Sequence, residues 1–285
     1  MINTVNTLSG IKRVALVTGS TRGIGANIIL KLAQNSYNVV ITGKTDKDVN
    51  NKGSIYSTQK MVEKYDIESL PIKLDLMDIN SISNCVEEID KKFGRLDVLI
   101  NNASALWWTN IQKTPEKRYD LINNINSKGS FFMSKECLKL MEKNKYGHII
   151  NHSPPLLNTN IPEIYKDKTG YMISKFGMSM VAMGIAAEYK GTGIAANTIW
   201  PKTAIESDAV RNTGLGNIEN WRKPDIISDS IIKMLLENTN YFTGQQWIDE
   251  DYLRSKGITD FKKYRCVPDV EPIPLMDLFN KNNFK

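Results

Sequence analysis

The chain has 285 residues and a mass of 32.2 kDa, and 41% of its residues are hydrophobic and 24% charged. Such a chain can bury a sizeable core, and its composition excludes collagen-like, coiled-coil and wholly disordered classes. The net charge of +6 is spread without a dense Lys/Arg run, and no uncharged apolar stretch reaches the ~20 residues of a membrane span, so we predict neither a nucleic-acid partner nor an integral membrane segment.

Short runs rich in Val, Ile and Leu alternate with longer amphipathic segments along most of the chain. We predict strands at residues 13–18, 38–43, 70–74, 97–100, 147–152, 194–199 and 245–248. We predict helices at residues 23–35, 54–65, 79–93, 115–142, 170–189 and 225–236. This alternation is typical of the α/β class, so we expect a single-domain Rossmann fold over residues 1–285 with a doubly wound parallel sheet of about seven strands. Residues 249–285 are predicted to form a C-terminal extension of that domain.

A glycine-rich segment, Thr18-Gly-Ser-Thr-Arg-Gly-Ile-Gly25, follows the first predicted strand and opens the first helix. Glycines permit a tight turn, a close approach of the backbone to a pyrophosphate and close helix–strand packing, while the helix N-terminus favours an anion. The segment therefore predicts a dinucleotide phosphate site, although a purely structural turn is the alternative. The expected contacts are Gly19, Thr21, Arg22, Gly23, Ile24 and Gly25.

The second predicted strand ends in Gly43-Lys44-Thr45, without the acidic residue that would bond the ribose 2′-hydroxyl of NAD. Lys44 and Arg22 can instead pair with a 2′-phosphate, and both Lys44 and Thr45 are predicted cofactor contacts. We therefore predict that NADP(H) is preferred, with NAD(H) as a possible cofactor. The alternative is that both cations are solvated surface charges.

Tyr171 and Lys175 are four residues apart in a predicted helix, so their side chains lie on one face, one turn apart. A free phenol has a pKa of ~10, and a nearby ammonium lowers that pKa, which makes the pair a plausible acid/base device. Ser153 ends the preceding strand, and Pro154 restricts its backbone to an extended conformation.

The G-x3-G-x-G spacing, Asn101-Asn-Ala-Ser104 and Tyr171-Met-Ile-Ser-Lys175 together resemble the short-chain dehydrogenase/reductase family over residues 12–249. The resemblance implies an NADP(H)-dependent oxidoreductase that interconverts an alcohol and a carbonyl by hydride transfer. It implies that Ser153 orients the substrate oxygen, that Tyr171 exchanges its proton, and that Lys175 lowers the phenol pKa and bonds the nicotinamide ribose. It also implies that Asn126 completes a proton-relay water.

The same resemblance implies further cofactor contacts. Asp75 and Leu76 stand where the family contacts the adenine, although Asp75 can also be a plain helix-capping carboxylate. The remaining implied contacts are Asn102, Ala103, Ser104, Pro201 and, near the nicotinamide carboxamide, Thr203. Three features depart from the family pattern: Ser104 and Lys202 each replace a glycine, and Ser153 and Tyr171 are 18 positions apart, several more than is usual.

The substrate side is predicted to be apolar. Leu106, Trp107 and Trp108 follow the fourth predicted strand at its carboxyl end, where ligands bind in open α/β sheets. With Ser153, Leu156, Leu157 and the segment of residues 204–216 they could form a pocket for a hydrophobic alcohol or carbonyl, such as an acyl chain. Alternatively, the tryptophans are core or subunit-contact residues. A non-catalytic dinucleotide-binding scaffold or a lipid-binding protein on the same fold is the alternative function.

Several motifs, including Ser-Pro-Pro and Trp200-Pro-Lys-Thr, resemble the hydroxysteroid dehydrogenase-like branch of the family. The branch is linked to fatty-acid or sterol metabolism, and the chain is expected to carry the dehydrogenase domain without the branch's sterol-carrier domain. The family usually forms tetramers through the two long helices, so we expect a homo-oligomer, a dimer or tetramer.

The three cysteines, Cys85, Cys137 and Cys266, are far apart and odd in number, which argues against a disulfide framework and for a reducing compartment. No Cys/His cluster has the spacing of metal ligands, so no metal site is predicted. We expect a cytoplasmic protein, with the mitochondrial or peroxisomal location of the branch as the alternative.

Overall fold

The computed structural model describes residues 7–8, 11–47, 53–156 and 162–280. Its strands are β1 (Thr7–Leu8), β2 (Ile11–Lys12), β3 (Val14–Val17), β4 (Asn38–Gly43), β5 (Ser69–Lys73), β6 (Val98–Asn101), β7 (Gly147–His152), β8 (Ile194–Trp200), β9 (Ala204–Ile205), β10 (Trp221–Arg222) and β11 (Gln246–Ile248). Its α-helices are α1 (Gly23–Gln34), α2 (Ile55–Val62), α3 (Ile79–Phe93), α4 (Glu116–Asn123), α5 (Gly129–Asn144), α6 (Thr169–Glu188), α7 (Asp208–Thr213), α8 (Asp225–Met234), α9 (Asp249–Ser255) and α10 (Leu275–Asn280).

Seven strands form one parallel sheet in the order β11-β8-β7-β6-β3-β4-β5. From β3 the chain proceeds outward through β4 and β5, then returns to β6 and continues outward on the other side. The strand order therefore reverses between β3 and β6, and a crevice opens at the carboxyl ends of strands at such a switch point. The predicted single-domain Rossmann fold with about seven parallel strands is confirmed.

Helices cover both faces of the sheet because successive residues of each strand point to opposite sides. Ala15 and Val17 belong to a buried cluster with residues of α1, α8 and α9, whereas Val14 and Leu16 belong to a second cluster with residues of α3, α5 and α6. The core is thus two apolar layers separated by the sheet, which fixes the strands and leaves the loops at their carboxyl ends free to form a site.

The predicted helix at residues 115–142 is interrupted in the structure. It consists of α4, a π-helical turn at Asn124–Lys128, and α5. Single π-helical turns occur frequently at functional sites because they shift the side chains that follow. The other predicted strands and long helices begin and end within a few residues of the observed ones.

The C-terminal extension packs onto the same domain over its described residues. Tyr252 and Leu253 of α9 are fully buried in the core layer that also contains α1 and α8. Further along, Leu275 and Leu278 of α10 pack with Trp221 near the carboxyl edge of the sheet. Among the described residues, no helix combines the length and the apolar character that crossing a membrane requires.

Candidate active site

A cavity of about 580 Å³ lies at the carboxyl edge of the sheet, over the switch point between β3 and β6. Its walls come from the loops that follow β3, β4, β6 and β8, and from the first two turns of α6. These elements are far apart in sequence, and the parallel sheet brings them together because all of its strands end at the same edge.

The glycine loop forms one end of the cavity. A Cβ on Gly25 would lie 2.3 Å from the carbonyl oxygen of Gly19, so only glycine lets the helix start this close to the loop. Gly23 has a left-handed backbone with φ +54°, and a Cβ there would meet nothing nearer than 3.8 Å, which leaves its approach open. This open backbone at the N-terminus of α1 fits the phosphates of a dinucleotide.

The segment after β6 holds that loop in place. The backbone N–H groups of Asn102 and Ala103 both donate to Thr18 Oγ1 at 3.0 Å. The side-chain amide of Asn102 donates to the carbonyl oxygens of Thr18 at 3.0 Å and Gly19 at 3.2 Å. The Asn-Asn-Ala-Ser segment therefore fixes the phosphate loop through hydrogen bonds to its first two residues.

Two cations lie beside the loop, and each has an acidic partner. Lys44 Nζ is 2.8 Å from an oxygen of Asp75, and Arg22 Nε is 3.4 Å from an oxygen of Asp208. Burial opposes ionisation of Asp75, but the hydrogen bonds from Lys44 and from the Met77 N–H, together with the charge of Lys44, outweigh it and lower the pKa of that carboxyl. Lys44 and Arg22 are half-exposed, so both can exchange these partners for a phosphate.

Tyr171 and Lys175 both line the middle of the cavity from the first two turns of α6. Tyr171 is 8% exposed and Lys175 is 2% exposed. The Lys175 ammonium donates to the carbonyl oxygen of His152 and lies 3.3 Å from Met178 Sδ. The helical spacing thus brings the phenol and the ammonium to one wall, as the sequence predicts.

Burial dominates the ionisation of both groups. It lowers the pKa of the Lys175 ammonium to about 7. Burial raises the pKa of the Tyr171 phenol above its ordinary value, and an interaction with the Ser104 side chain only partly offsets this. The expected lowering of the phenol pKa by Lys175 is therefore not seen, because the ammonium bonds to His152 and the phenol sits in dry surroundings.

Ser153 does not line the cavity with Tyr171. Its side chain is fully buried behind the wall, where its Oγ lies 2.9 Å from Ser179 Oγ on α6. Neighbouring residues of an extended chain point to opposite sides, and it is the preceding His152 that faces the cavity. The role of Ser153 in orienting the substrate oxygen therefore stays a prediction.

Asn126 lies in the π-helical turn and is also fully buried outside the cavity. Its side-chain oxygen accepts from the Ala105 N–H at 2.8 Å, and its amide donates to the Ala105 carbonyl at 3.0 Å and to Ser174 Oγ at 2.9 Å. Asn126 therefore joins the loop after β6 to the helix that carries Tyr171 and Lys175.

Most of the predicted cofactor residues line this cavity. They are Gly19, Thr21, Arg22, Gly23, Ile24, Gly25, Lys44, Thr45, Asn102, Ala103, Ser104, Tyr171, Lys175 and Pro201. The predicted residues that do not line it are Asp75, Leu76, Trp107, Asn126, Ser153, Leu156 and Thr203. Leu157 lies outside the described residues.

The predicted substrate residues divide in the same way. Leu106 and Trp108 line the cavity, whereas Trp107 stacks under the Arg118 guanidinium, whose carbon is 4.5 Å from the ring centroid. The Leu156 N–H donates to the Gln246 side chain at 2.6 Å. For Trp107, the alternative of a packing residue thus fits the structure better than substrate contact.

The predicted site residues left out several residues that line the cavity, namely Gly43, Ile125, His152, Lys168, Met172, Trp200 and Leu275. Lys168 could have been found, because it precedes Tyr171 by three residues and shares its helix face. Burial lowers the pKa of His152 to about 3, so its ring is neutral near pH 7. Leu275 comes from the C-terminal extension, and no local pattern in the sequence indicates that this segment returns to the site.

Comparison with known proteins identifies the family of the chain. Residues 13–215 match the short chain dehydrogenase family, and the chain therefore belongs to that family of NAD(P)-dependent oxidoreductases. Within the family it is similar to the hydroxysteroid dehydrogenase-like protein 2 of Mus musculus and of Homo sapiens, each 42% identical over 254 residues. These alignments cover 88% of this chain but only 51% and 60% of the two relatives, so the chain spans about half to three-fifths of their length.

Solved structures share the fold. A putative dehydrogenase from Xanthomonas campestris is 33% identical, with a TM-score of 0.87 over 92% of this chain and 96% of that chain. A short chain dehydrogenase from Mycobacterium thermoresistibile is 34% identical, with a TM-score of 0.84 over 92% and 93% of the two chains. A metagenomic short-chain oxidoreductase in complex with NADP, 23% identical with a TM-score of 0.69 over 83% and 96%, supports the fold alone.

Proposed function

We propose that the protein interconverts a hydrophobic alcohol and the corresponding carbonyl compound with NADP(H), using Tyr171 as the acid/base group. The observation that carries this proposal is a single cavity that joins the open glycine loop at one end to Tyr171 and Lys175 in the middle. The residues that would hold the cofactor are the glycine loop, Asn102 to Ser104, Lys175 and Pro201. When bound, the nicotinamide supplies or accepts the hydride.

Tyr171 is the proposed proton donor. Because burial raises the pKa of the phenol, Tyr171 carries its proton near pH 7 and can donate it to the oxygen of a carbonyl that is being reduced. Lys175, on the same wall, is one of the residues that would hold the cofactor, and this donation by Tyr171 does not require its ammonium to lower the phenol pKa. Ser104 lines the same part of the cavity and interacts with the phenol, so it can help to hold the phenol in place.

The cofactor preference rests on Arg22 and Lys44. Both border the cavity end where the second predicted strand lacks an acidic residue at its tip. A 2′-phosphate would take over the bonds that these cations make with Asp208 and Asp75, and guanidinium and ammonium groups both bind phosphate well. These contacts support a preference for NADP(H) over NAD(H).

The walls beyond Tyr171 support a hydrophobic substrate. Leu106, Trp108, Met172, Leu215 and Leu275 line this end, and the edge of the Trp108 ring meets the Tyr171 ring with centroids 6.3 Å apart. Apolar walls with a few placed polar groups are typical of sites for small apolar molecules. An acyl-chain alcohol or ketone, as expected for a role in lipid metabolism, fits these walls.

The test is NADPH oxidation over a panel of aliphatic ketones and aldehydes, with wild type and Tyr171→Phe compared and NADH used in parallel. We expect wild-type turnover with a lower KM for NADPH than for NADH. In Tyr171→Phe we expect kcat to fall by about 10²- to 10⁴-fold while NADPH affinity stays within about 3-fold. Tight NADPH binding without turnover in wild type would favour a scaffold, and acyl-ligand binding that ignores the cofactor would favour a lipid-binding protein.

We also propose a homodimer or homotetramer built on α5 and α6. Phe131 and Met180 are 52% and 62% exposed, and they border a groove of about 430 Å³ between these helices. Large exposed apolar side chains around one groove are typical of interaction surfaces. A monomeric mass in light scattering at micromolar concentration would contradict this proposal.

The cellular location is proposed from cysteine chemistry. Cys85, Cys137 and Cys266 are all free thiols, and the first two are buried. This use of cysteine supports a reducing compartment, and we propose the cytoplasm, with mitochondria and peroxisomes as the alternatives. Imaging of the tagged full-length protein in its own cells would decide among the three.

A further inference from the structure

Lys168 is a buried cation in the substrate end of the cavity. It occupies the N-cap position of α6, is 2% exposed and lines the cavity with Tyr171 and Lys175. The three residues follow one another at intervals of three and four, so they form a row along one face of the start of α6. Tyr171 therefore lies between Lys168 and Lys175 in this row.

The surroundings of this ammonium are those of a ligand pocket. Its Nζ lies 5.5 Å from the centroid of the Trp108 ring, the same ring that meets Tyr171. Leu106, Met172 and Leu275 line the same cavity. Within the chain, Nζ donates to the carbonyl oxygen of Lys166 at 2.8 Å. An ammonium has three donors and can exchange its partners, so this hydrogen bond does not prevent Lys168 from binding an anionic acceptor on a ligand.

A cation beside apolar and aromatic walls selects a particular kind of ligand. Burying a charge is unfavourable unless an opposite charge or hydrogen bonds offset it, and a carboxylate on the ligand supplies both. Burial lowers the pKa of Lys168 while Asp167 acts in the opposite direction, so a ligand carboxylate would also stabilise its protonated form.

We propose that Lys168 binds a carboxylate of the substrate, so that the preferred substrates are hydrophobic oxo acids and the corresponding hydroxy acids. This inference rests on the proposed function, because Tyr171 must act on the carbonyl oxygen of the same molecule. Side chains three residues apart on a helix have Cβ atoms about 5–6 Å apart, so only a few carbon atoms separate the carboxylate from the reacting carbonyl.

The experiment compares 4-oxodecanoic acid with its methyl ester, which differs in charge but hardly in shape. With NADPH, we expect wild type to prefer the acid by at least about 10-fold in kcat/KM. Lys168→Met should lower kcat/KM for the acid by about 10- to 100-fold, the loss of one charge-assisted hydrogen bond, and should change the ester by less than about 3-fold. Lys168→Arg should restore part of the preference.

Lys166→Met is the matched control, because it removes the same charge from an exposed side chain two residues earlier. It should leave the acid-to-ester ratio unchanged. Equal rates for acid and ester in wild type, or equal losses for both in Lys168→Met, would overturn the proposal.

Calorimetric titration of the acid and the ester in the presence of NADP⁺ separates this inference from the proposed function. If wild type turns over neither compound but binds the acid more tightly than the ester, and Lys168→Met removes that difference, the anion site stands and the proposed activity fails. If wild type binds acid and ester equally, or binds neither, the inference fails whatever the activity.

Discussion

Lys175 is an ionisable side chain in a buried position, where its charged form is disfavoured. Its ammonium is 2% exposed, and burial lowers its pKa from an ordinary value of 10.5 to about 7. Among the described residues, it donates a hydrogen bond to one oxygen atom, the carbonyl oxygen of His152. Buried ionisable groups with strongly shifted pKa values lower stability, and they are concentrated at functional sites.

The pH dependence of stability follows from this shift. Between pH 7 and pH 10.5, the unfolded chain still binds a proton at Lys175 while the folded chain has largely lost it. Lower pH in this range therefore favours the unfolded state, and the free energy of unfolding contributed by Lys175 rises with pH by up to about 1.4 kcal/mol per unit. Below pH 7 both states are protonated and this contribution no longer changes.

We predict that Lys175→Met removes this part of the pH dependence. Urea unfolding from pH 7 to pH 10 should show the variant gaining stability relative to wild type as the pH is lowered, while its turnover is lost. Lys190→Met, at an exposed position after α6, should keep the wild-type profile. Parallel profiles for wild type and Lys175→Met would contradict the prediction.

Single residues were also the hardest part of the site to predict. The spacing of Tyr171 and Lys175 fixes their shared helix face, and Lys168 belongs to the same row. The alternation of an extended chain says only that His152 and Ser153 point in opposite directions. Which of them faces the cavity depends on where β7 lies relative to α6, and the sequence alone does not contain that information.

Elements are more predictable than side-chain directions here. The five inner strands of the sheet are buried on both faces, and β4, β7 and the helix α3 begin and end where the sequence predicts. The π-helical turn Asn124–Lys128 could not be predicted, because a shift of the backbone hydrogen bonds by one residue leaves the helical pattern of side chains almost unchanged.

The π-helical turn determines the position of Asn126. It places Asn126 so that one side chain satisfies both backbone groups of Ala105 and the hydroxyl of Ser174. The buried amide of Asn126 therefore joins the loop after β6 to the helix α6. Removing it leaves buried polar groups without partners, which costs more than the bonds themselves contribute.

We predict that Asn126→Ala lowers the free energy of unfolding by about 1–3 kcal/mol and lowers kcat, because Tyr171 and the Ser104 loop lose their common support. Asn123→Ala is the matched control: it lies one helical turn earlier, and among the described residues its half-buried amide bonds only to the carbonyl of Tyr119. That variant should change stability by less than about 0.5 kcal/mol. Denaturant unfolding and steady-state kinetics measure both effects, and equal losses in the two variants would refute the role of Asn126.

At the scale of the whole molecule, the C-terminal region closes the site from outside the Rossmann repeat. The N–H of Leu275 donates to the carbonyl of Lys202 at 2.8 Å, and Thr203 pairs with Pro274 in an antiparallel bridge. The segment that follows β8 is therefore held between the sheet and the C-terminal extension. Sequence patterns predict the repeat but not this return of the chain, which depends on contacts between distant segments.

Buried charges anchor this arrangement. The Arg222 guanidinium on β10 is 2% exposed and bonds to Glu250 of α9 and, at 2.9 Å, to Glu271. Glu250 is 5% exposed and also bonds to Arg254 at 2.8 Å and Lys202 at 3.1 Å. Burial alone would raise the pKa of Glu250, but these bonds outweigh it and lower the pKa to about 2.

We predict that Glu250→Gln destabilises the protein by about 3–5 kcal/mol at pH 7, because it leaves the Arg222 charge buried without its main partner. Glu271→Gln removes the other partner of the same guanidinium, but Glu271 is 59% exposed, so its loss should cost at most about 1 kcal/mol. Since the folded-state pKa of Glu250 lies below the ordinary 4.5, its stabilisation is complete above that pH and is lost as the pH falls toward 2. In denaturant unfolding, the difference in the free energy of unfolding between wild type and Glu250→Gln should therefore become smaller over that range. Equal losses of stability in the Glu250→Gln and Glu271→Gln variants at pH 7 would contradict the prediction, because they would show that burial of the carboxylate does not determine its contribution.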